Sequence, residues 1–267
     1  MQFLSMYIAD QKRWFLKKNM ILAIFMIQII NNLVLFREIP RVSETDVLSA
    51  LILSVDDPFF YLNYMVIAIV FATEYCKQKE NHFLQFCMIR CRDINYILSK
   101  LLNSFLSGFF TMCSATALWL LSLRMFIPWA IMGVGQYDIC IEWGMGDLLG
   151  KQLFLHYFAL ICVGLGLLAG ILAVLSFLCS LLIPSQTLVL IIPTLSVYLL
   201  ESLIGDYLPS LNQWRFYYTF FYPYNYNHST DVILKNSLIH TGCGIILMGL
   251  LCYIIVKIQK KQEKWYV

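Results

Sequence analysis

Along this chain apolar residues gather in runs of roughly twenty, and most charged residues fall in the gaps between them. An α-helix needs about that many residues to cross a hydrocarbon core of ~30 Å at 1.5 Å per residue. Six such runs predict six spans, at 19–36, 58–75, 96–123, 152–183, 185–204 and 238–258. The fourth is longer than a bilayer requires, so it must tilt or project, and Pro184 ends it before a tight return. Pro193 removes a backbone donor inside the fifth run and predicts a kink. No internal repeat or Ser/Gly linker interrupts the pattern, so residues 1–267 read as a single transmembrane domain of an all-α polytopic membrane protein.

Three shorter patterns lie between or before the spans. In residues 1–18, Leu4, Ile8 and Phe15 share one face, while Asp10, Gln11, Lys12 and Arg13 form a polar side. This predicts an interfacial helix along the membrane surface, or else a prolongation of the first span. In residues 76–95, Phe83, Leu84, Cys87, Met88 and Cys91 recur at helical spacing on a segment too short to cross a membrane. Such a stripe can lie on the leaflet with Lys77, Lys79, Arg90 and Arg92 near lipid phosphates, or enter a groove on another protein. Residues 205–237 are dense in aromatics, including Trp214, Tyr217, Phe220 and Tyr222, and are broken by Pro209 and Pro223. They read as an aromatic belt at the headgroup layer, or as a substrate-exit or gating element that re-enters the membrane.

Composition sharpens the class. Of 267 residues, 60% are hydrophobic and 13% charged. With a mean hydropathy of +0.71, no soluble fold of this length could bury so much apolar surface. Charge distribution then predicts orientation. Lys12, Arg13, Lys17, Lys18, Lys77, Lys79, Arg90, Arg92, Lys100, Lys257, Lys260, Lys261 and Lys264 fall on one side of the predicted topology, thirteen of the 19 Lys and Arg. The other side carries most of the acids. Excess Lys/Arg marks the cytoplasmic side, so the expectation is a multi-pass cell-membrane protein with both termini cytoplasmic. The first apolar run shows no small-residue cleavage site and is expected to remain as an anchor. Basic residues cluster at span ends and form no continuous face, which argues against a nucleic-acid partner.

Chemistry finds little footing. No G-x-x-x-x-G-K-[ST] loop occurs. Gly164-Leu165-Gly166-Leu167-Leu168-Ala169 matches a dinucleotide fingerprint only on paper, because it lies within a span with no preceding strand. Gly166 and Gly170 instead form a small-residue face that lets another helix approach closely, within the chain or across a dimer. His82, His156, His228 and His240 are dispersed. The nine cysteines form no C-x-x-C pair, and Cys87, Cys91 and His82 lack a fourth metal ligand. No catalytic residue, metal or directly bound cofactor is expected. Two carboxylates lie in or near spans: Glu74 toward the cytoplasmic end of the second and Glu201 toward the external end of the fifth. Each has an interfacial or packing role, or a functional one: contact with a partner for Glu74, lining of a pathway for Glu201.

The arrangement resembles the membrane subunit of type-2 ATP-binding-cassette exporters. The resemblance rests on the six-span layout and on loosely spaced residues: Glu74 as span two ends, the short Phe83–Ile89 patch, Arg90-Cys91-Arg92, Lys100 opening span three, and the Pro/aromatic segment before span six. The Gly-Thr and Pro common in that turn are absent here. Membership would imply that 76–95 is a coupling segment, with Glu74, Lys77, Lys79, Phe83, Leu84, Met88, Arg90 and Arg92 engaging a separate ABC ATPase subunit in two copies. ATP and magnesium would be bound by that partner, and a second permease half, identical or related, would complete the complex. The resemblance implies outward transport of an amphipathic or hydrophobic substrate, antimicrobial peptides being common cargo for small permeases. Glu201 and the aromatic residues would then belong to the substrate pathway or gate. The competing reading is a non-transporting sensor or accessory subunit that binds a ligand through the aromatic segment.

Overall fold

The computed structural model describes residues 7–8, 18–38, 46–80, 93–133, 135–142, 144–183, 185–207, 215–224 and 229–261, with side chains at 38, 71–75, 77–80, 93, 135, 205–206, 224 and 259–261 outside the description. Among the described residues all regular structure is helical. In order the helices are α1 (Lys18–Glu38), α2 (Val47–Asp56), a 3₁₀ turn (Pro58–Tyr61), α3 (Leu62–Glu80), α4 (Asp93–Arg124), α5 (Gly135–Glu142) and α6 (Gly146–Gly150). There follow α7 (Phe154–Leu182), α8 (Gln186–Tyr207), α9 (Phe216–Phe220), a second 3₁₀ turn (Tyr222–Tyr224) and α10 (Thr230–Lys261).

Among the described residues five helices are long and apolar enough to cross a membrane: α1, α4, α7, α8 and α10. A sixth crossing exists if α2 and the start of α3 count as one bent span, since they meet at 79°. The bend has a local cause. Asp57 is extended (φ −74°, ψ 130°) and caps the 3₁₀ turn, its carboxylate accepting from the Phe59 N–H at 2.7 Å. Pro58 follows and cannot donate to the preceding turn, so α2 cannot continue. Arg37, in the last turn of α1, pairs with Asp57 at 3.3 Å and pins the corner.

The gap between the first two predicted spans therefore holds a helix at Val47–Asp56. Val47, Leu48, Ala50, Leu51, Ile52 and Val55 of α2 are all buried. Asp46 is its N-cap, accepting from Ser49 N–H at 2.6 Å and from Ile131 N–H at 2.7 Å. The Val47 and Leu48 N–H groups bond Pro128 and Trp129 carbonyls, so the unpaired donors of the helix start are used up by the loop after α4.

Helix α7 is the hub. In its most apolar stretch 78% of residues are buried, against 17% for α10 and 22% for α8, which places α7 at the centre and those two at the periphery. It packs along α4 most extensively and is ringed by α3, α8 and α10. The α4–α7 seam depends on small residues. A Cβ on Gly108 would sit 2.7 Å from the Ala169 carbonyl oxygen, and one on Gly170 would sit 2.6 Å from the Phe105 ring. Gly166 meets Phe109, and Ser104 donates to the Ala173 carbonyl at 2.7 Å. The partner of the Gly166/Gly170 face is thus a helix of the same chain.

Boundaries shift at several places. The longest helices are α4 and α10, at 32 residues each, rather than the fourth span. At 1.5 Å per residue each reaches roughly 48 Å, beyond a hydrocarbon core. Helix α10 begins at Thr230, so the end of the 205–237 segment is already its first turns, and α8 runs through Pro193 to Tyr207. Tyr7 and Ile8 are helical, and the rest of the proposed interfacial helix lies outside the described residues. The same holds for residues 81–92 of the coupling segment.

Candidate functional site

The two ends of the bundle differ. Helices α3 and α4 are joined through residues 81–92 at one end, which also holds the starts of α1 and α8 and the end of α10. The opposite end is covered by α2, α5, α6, α9 and the loop after α4. Of the coupling residues expected from sequence, Glu74, Lys77 and Lys79 have their backbone in α3. Phe83, Leu84, Met88, Arg90 and Arg92 lie outside the described residues. Lys100 lies in α4, buried, with its ammonium 5.7 Å from the Tyr96 ring centroid.

At the covered end the chain between α8 and α10 turns into the bundle. Helix α9 and the turn after it bury Tyr217, Phe220, Phe221 and Tyr222. Glu201 on α8, 4% exposed, anchors them. Its Oε2 accepts from Arg215 Nε at 2.7 Å, and its Oε1 accepts from the Tyr217 N–H at 3.0 Å. One carboxylate thus neutralises a cation and satisfies a free donor at the start of α9. Burial alone would lower the Arg215 pKa; the hydrogen bond and charge of Glu201 outweigh it, so the guanidinium is held above its ordinary value.

Aromatic packing carries the anchor across to α3. The Tyr217 ring stacks on Tyr61 at 5.8 Å and 12°, and Tyr61 meets Tyr198 of α8 edge-on at 5.9 Å. The Tyr64 and Tyr217 hydroxyls are buried with no partner at hydrogen-bonding geometry among the described residues. Burial, reinforced by neighbouring tyrosines, pushes the Tyr217 phenol well above its usual range. On the other flank, Tyr222 shares a hydrogen bond with Ser237 of α10 at 3.1 Å. Its ring lies against Gly164 of α7, where a Cβ would also collide with the Phe220 carbonyl. Gly144, at φ +30°, admits the Tyr222 carbonyl in the same way. The glycines thus mark where backbone must approach backbone.

Glu201, Tyr217, Phe220 and Tyr222 therefore come together, while Trp214 lies outside the described residues. These four side chains are buried in this arrangement. Sequence reasoning missed Tyr61, Tyr64, Arg215, Ser237 and Gly164 as their partners. One signal was present: Arg215 is the only basic residue in the aromatic run 207–226, so it was the natural counter-ion for a carboxylate in an apolar helix.

Polar side chains inside the bundle pair between helices. Asn63 Nδ2 donates to Asn31 Oδ1 at 2.8 Å, Gln28 Nε2 to the Ala115 carbonyl at 2.6 Å, and Trp119 Nε1 to Asn32 Oδ1 at 3.3 Å. Among the described residues no three His, Cys, Asp or Glu side chains gather as a metal site would require. Cys140 of α5 is buried and unbridged, and burial pushes its thiol up to about 11. Comparison with protein-family models, with curated proteins and with solved structures returns no match to the chain.

Proposed function

We propose that this chain is the membrane-spanning permease subunit of an ATP-driven exporter, worked by a separate ABC ATPase and completed by a second permease half. The substrate class is an amphipathic or hydrophobic molecule such as an antimicrobial peptide. On this reading α2 and α3 form one bent crossing, which makes six spans. The basic end, both termini included, faces the cytoplasm of a cell-membrane protein. The chain is then no enzyme, and nucleotide and magnesium belong to its partner.

One observation carries the reading: α3 is an unbroken helix from Leu62 to Glu80 that ends in the basic segment at one end and begins beside the Tyr61–Tyr217 stack at the other. At roughly 28 Å it spans the bundle. A push on 77–95 would reach the aromatic segment through a rigid element, without a flexible joint. The Tyr61, Tyr64 and Tyr217 side chains act on one another at that junction, so a shift of α3 there would rearrange the buried hydroxyls of the aromatic segment. ATP would bias the two arrangements by its differential affinity for the ATPase in each.

The test is reconstitution in vesicles with and without an ABC ATPase that co-purifies with the chain. Export is expected only with ATPase and ATP together. Charge reversal at Lys77 and Lys79, or polar replacement of Phe83 and Leu84, is expected to abolish co-purification of the ATPase. Full transport by the isolated chain without nucleotide would falsify the reading.

A further inference from the structure

We propose that the cleft bounded by α1, α2 and α4 at the covered end binds one acyl chain of an anionic membrane lipid, with Arg124 holding the headgroup. The inference needs only that these helices sit in a bilayer, and stands apart from the exporter reading.

Helices α1 and α4 run side by side in parallel. Gln28 bonds Ala115 and Asn32 bonds Trp119, and each pair is 87 residues apart, so the register is constant along the seam. One turn past that clasp the helices do not close on each other. Ser49, Ala50 and Leu53 of α2 cover the gap and leave a cavity of about 400 Å³. Its walls are Leu35, Phe36, Leu123 and Phe126, with Asn32 of the clasp at its inner end. Phe36 is 72% and Phe126 85% exposed, so the cleft opens to the protein's surface. A methylene is close in size to a water, whose share of liquid volume is about 30 Å³, so the cavity holds roughly a dozen carbons of a single chain.

A charge beside the lining selects the headgroup: Arg124 is not itself a lining residue, but its Nη1 reaches the carbonyl of Ile127, which is. Arg124 lies on the turn that carries Leu123 and Phe126. It is exposed, and Nη1 donates to the Ile127 carbonyl at 3.2 Å. Its guanidinium stands 5.7 Å from the Trp129 ring centroid. Among the described residues no carboxylate pairs with it, and the hydrogen bond to Ile127 uses one of its five N–H donors. Arg37, at the end of α1, differs in being committed to Asp57. A cation beside an apolar slot at membrane depth fits a lipid whose phosphate is not balanced by its own ammonium group.

The experiment places the full chain in nanodiscs with trace phosphatidylglycerol or phosphatidylcholine carrying a photoreactive group in the acyl chain. Label from phosphatidylglycerol is expected to concentrate on peptides containing Leu35–Phe36 and Leu123–Ile127. Arg124→Gln is expected to weaken it roughly five-fold while leaving the phosphatidylcholine signal unchanged. Ser122→Leu and Leu53→Trp, which fill the slot from opposite walls, are expected to remove label of both kinds. Label spread evenly over the outer faces of α8 and α10, a headgroup preference that survives Arg124→Gln, or cross-links at the cleft to a second copy of the chain would each overturn the proposal. Arg124 is a surface residue, so that variant reads out even if a filled cleft fails to fold.

Discussion

The strongest single contact at the covered end joins Glu201 to Arg215. A carboxylate at 4% exposure is tolerable only because a guanidinium and a backbone N–H meet it. Breaking such a pair from one side costs about 3–5 kcal/mol when both partners are buried. The Arg215 side chain is 28% exposed, so water screens part of the loss and about 2–3 kcal/mol is expected for Arg215→Met. Glu201→Gln keeps an acceptor for Tyr217 and should cost less. Replacing both residues by leucine should restore much of the loss, because no charge is left uncompensated. Thermal unfolding of the three variants in detergent checks the order, and Arg215→Met melting with the wild type would show that the pair holds nothing.

Ionisation at the same end sets an alkaline limit. Cys140 is raised from 9.0 to about 11 and Tyr217 is raised above 10.0, both first of all by burial. A raised pKa means that the unfolded chain releases its proton first. The stability these groups contribute is complete below pH ~9 and is lost as pH climbs through the folded values. The melting temperature is therefore expected to hold level up to about pH 9 and to fall above it. Alkylation of Cys140 near pH 9 should be slow until the chain unfolds, since the thiolate is the reactive form. Fast alkylation of the folded protein would contradict its placement.

At the scale of elements, glycine positions separate packed seams from lipid-facing surface. Gly108 and Gly164 touch backbone carbonyls of α7 and of the aromatic segment, whereas nothing lies within 4 Å of a Cβ at Gly242 of α10. Gly108→Val and Gly164→Val should each destabilise by about 1–3 kcal/mol through overpacking. Gly242→Ala should be neutral or slightly stabilising through helix propensity. Unfolding midpoints in a mild denaturing detergent would measure this, and equal effects at all three sites would refute the assignment of α7 as the hub. The sequence already marked Gly166 and Gly170 as a close-approach face, because small residues four apart mean the same thing in any membrane helix. It did not name Phe105 and Phe109 as what approaches, because many long side chains in other spans had the right size.

At the scale of the whole molecule, the proposal turns on whether α3 links its two ends mechanically. Tyr61→Ala and Tyr217→Ala remove the stack while leaving the basic segment untouched. If α3 is the link, both should retain the ATPase and its basal hydrolysis while export falls at least ten-fold, about 1.4 kcal/mol of lost coupling. Export that persists at wild-type rate in both variants would mean that force does not pass through Tyr61.

Much of this molecule could be read before any coordinate. Membrane class, helix positions and the uneven charge of the two ends follow from hydropathy and charge, because a bilayer imposes one length and one polarity on whatever crosses it. Glu201 and the aromatic run were visible as an anomaly, though not as partners. What the tertiary structure alone decided is which faces meet. Helix α4 is the least apolar of the five long helices, yet it is more buried than α1, α8 and α10, and helix α2 is tucked in where sequence showed only a gap. The reason is physical: lipid tails and protein interior are equally oily, so hydropathy cannot distinguish a surface facing the bilayer from one facing another helix. Close approach at glycines, amide pairs such as Asn31–Asn63 and the Glu201–Arg215 ion pair make that distinction, and each exists only once the chain has folded.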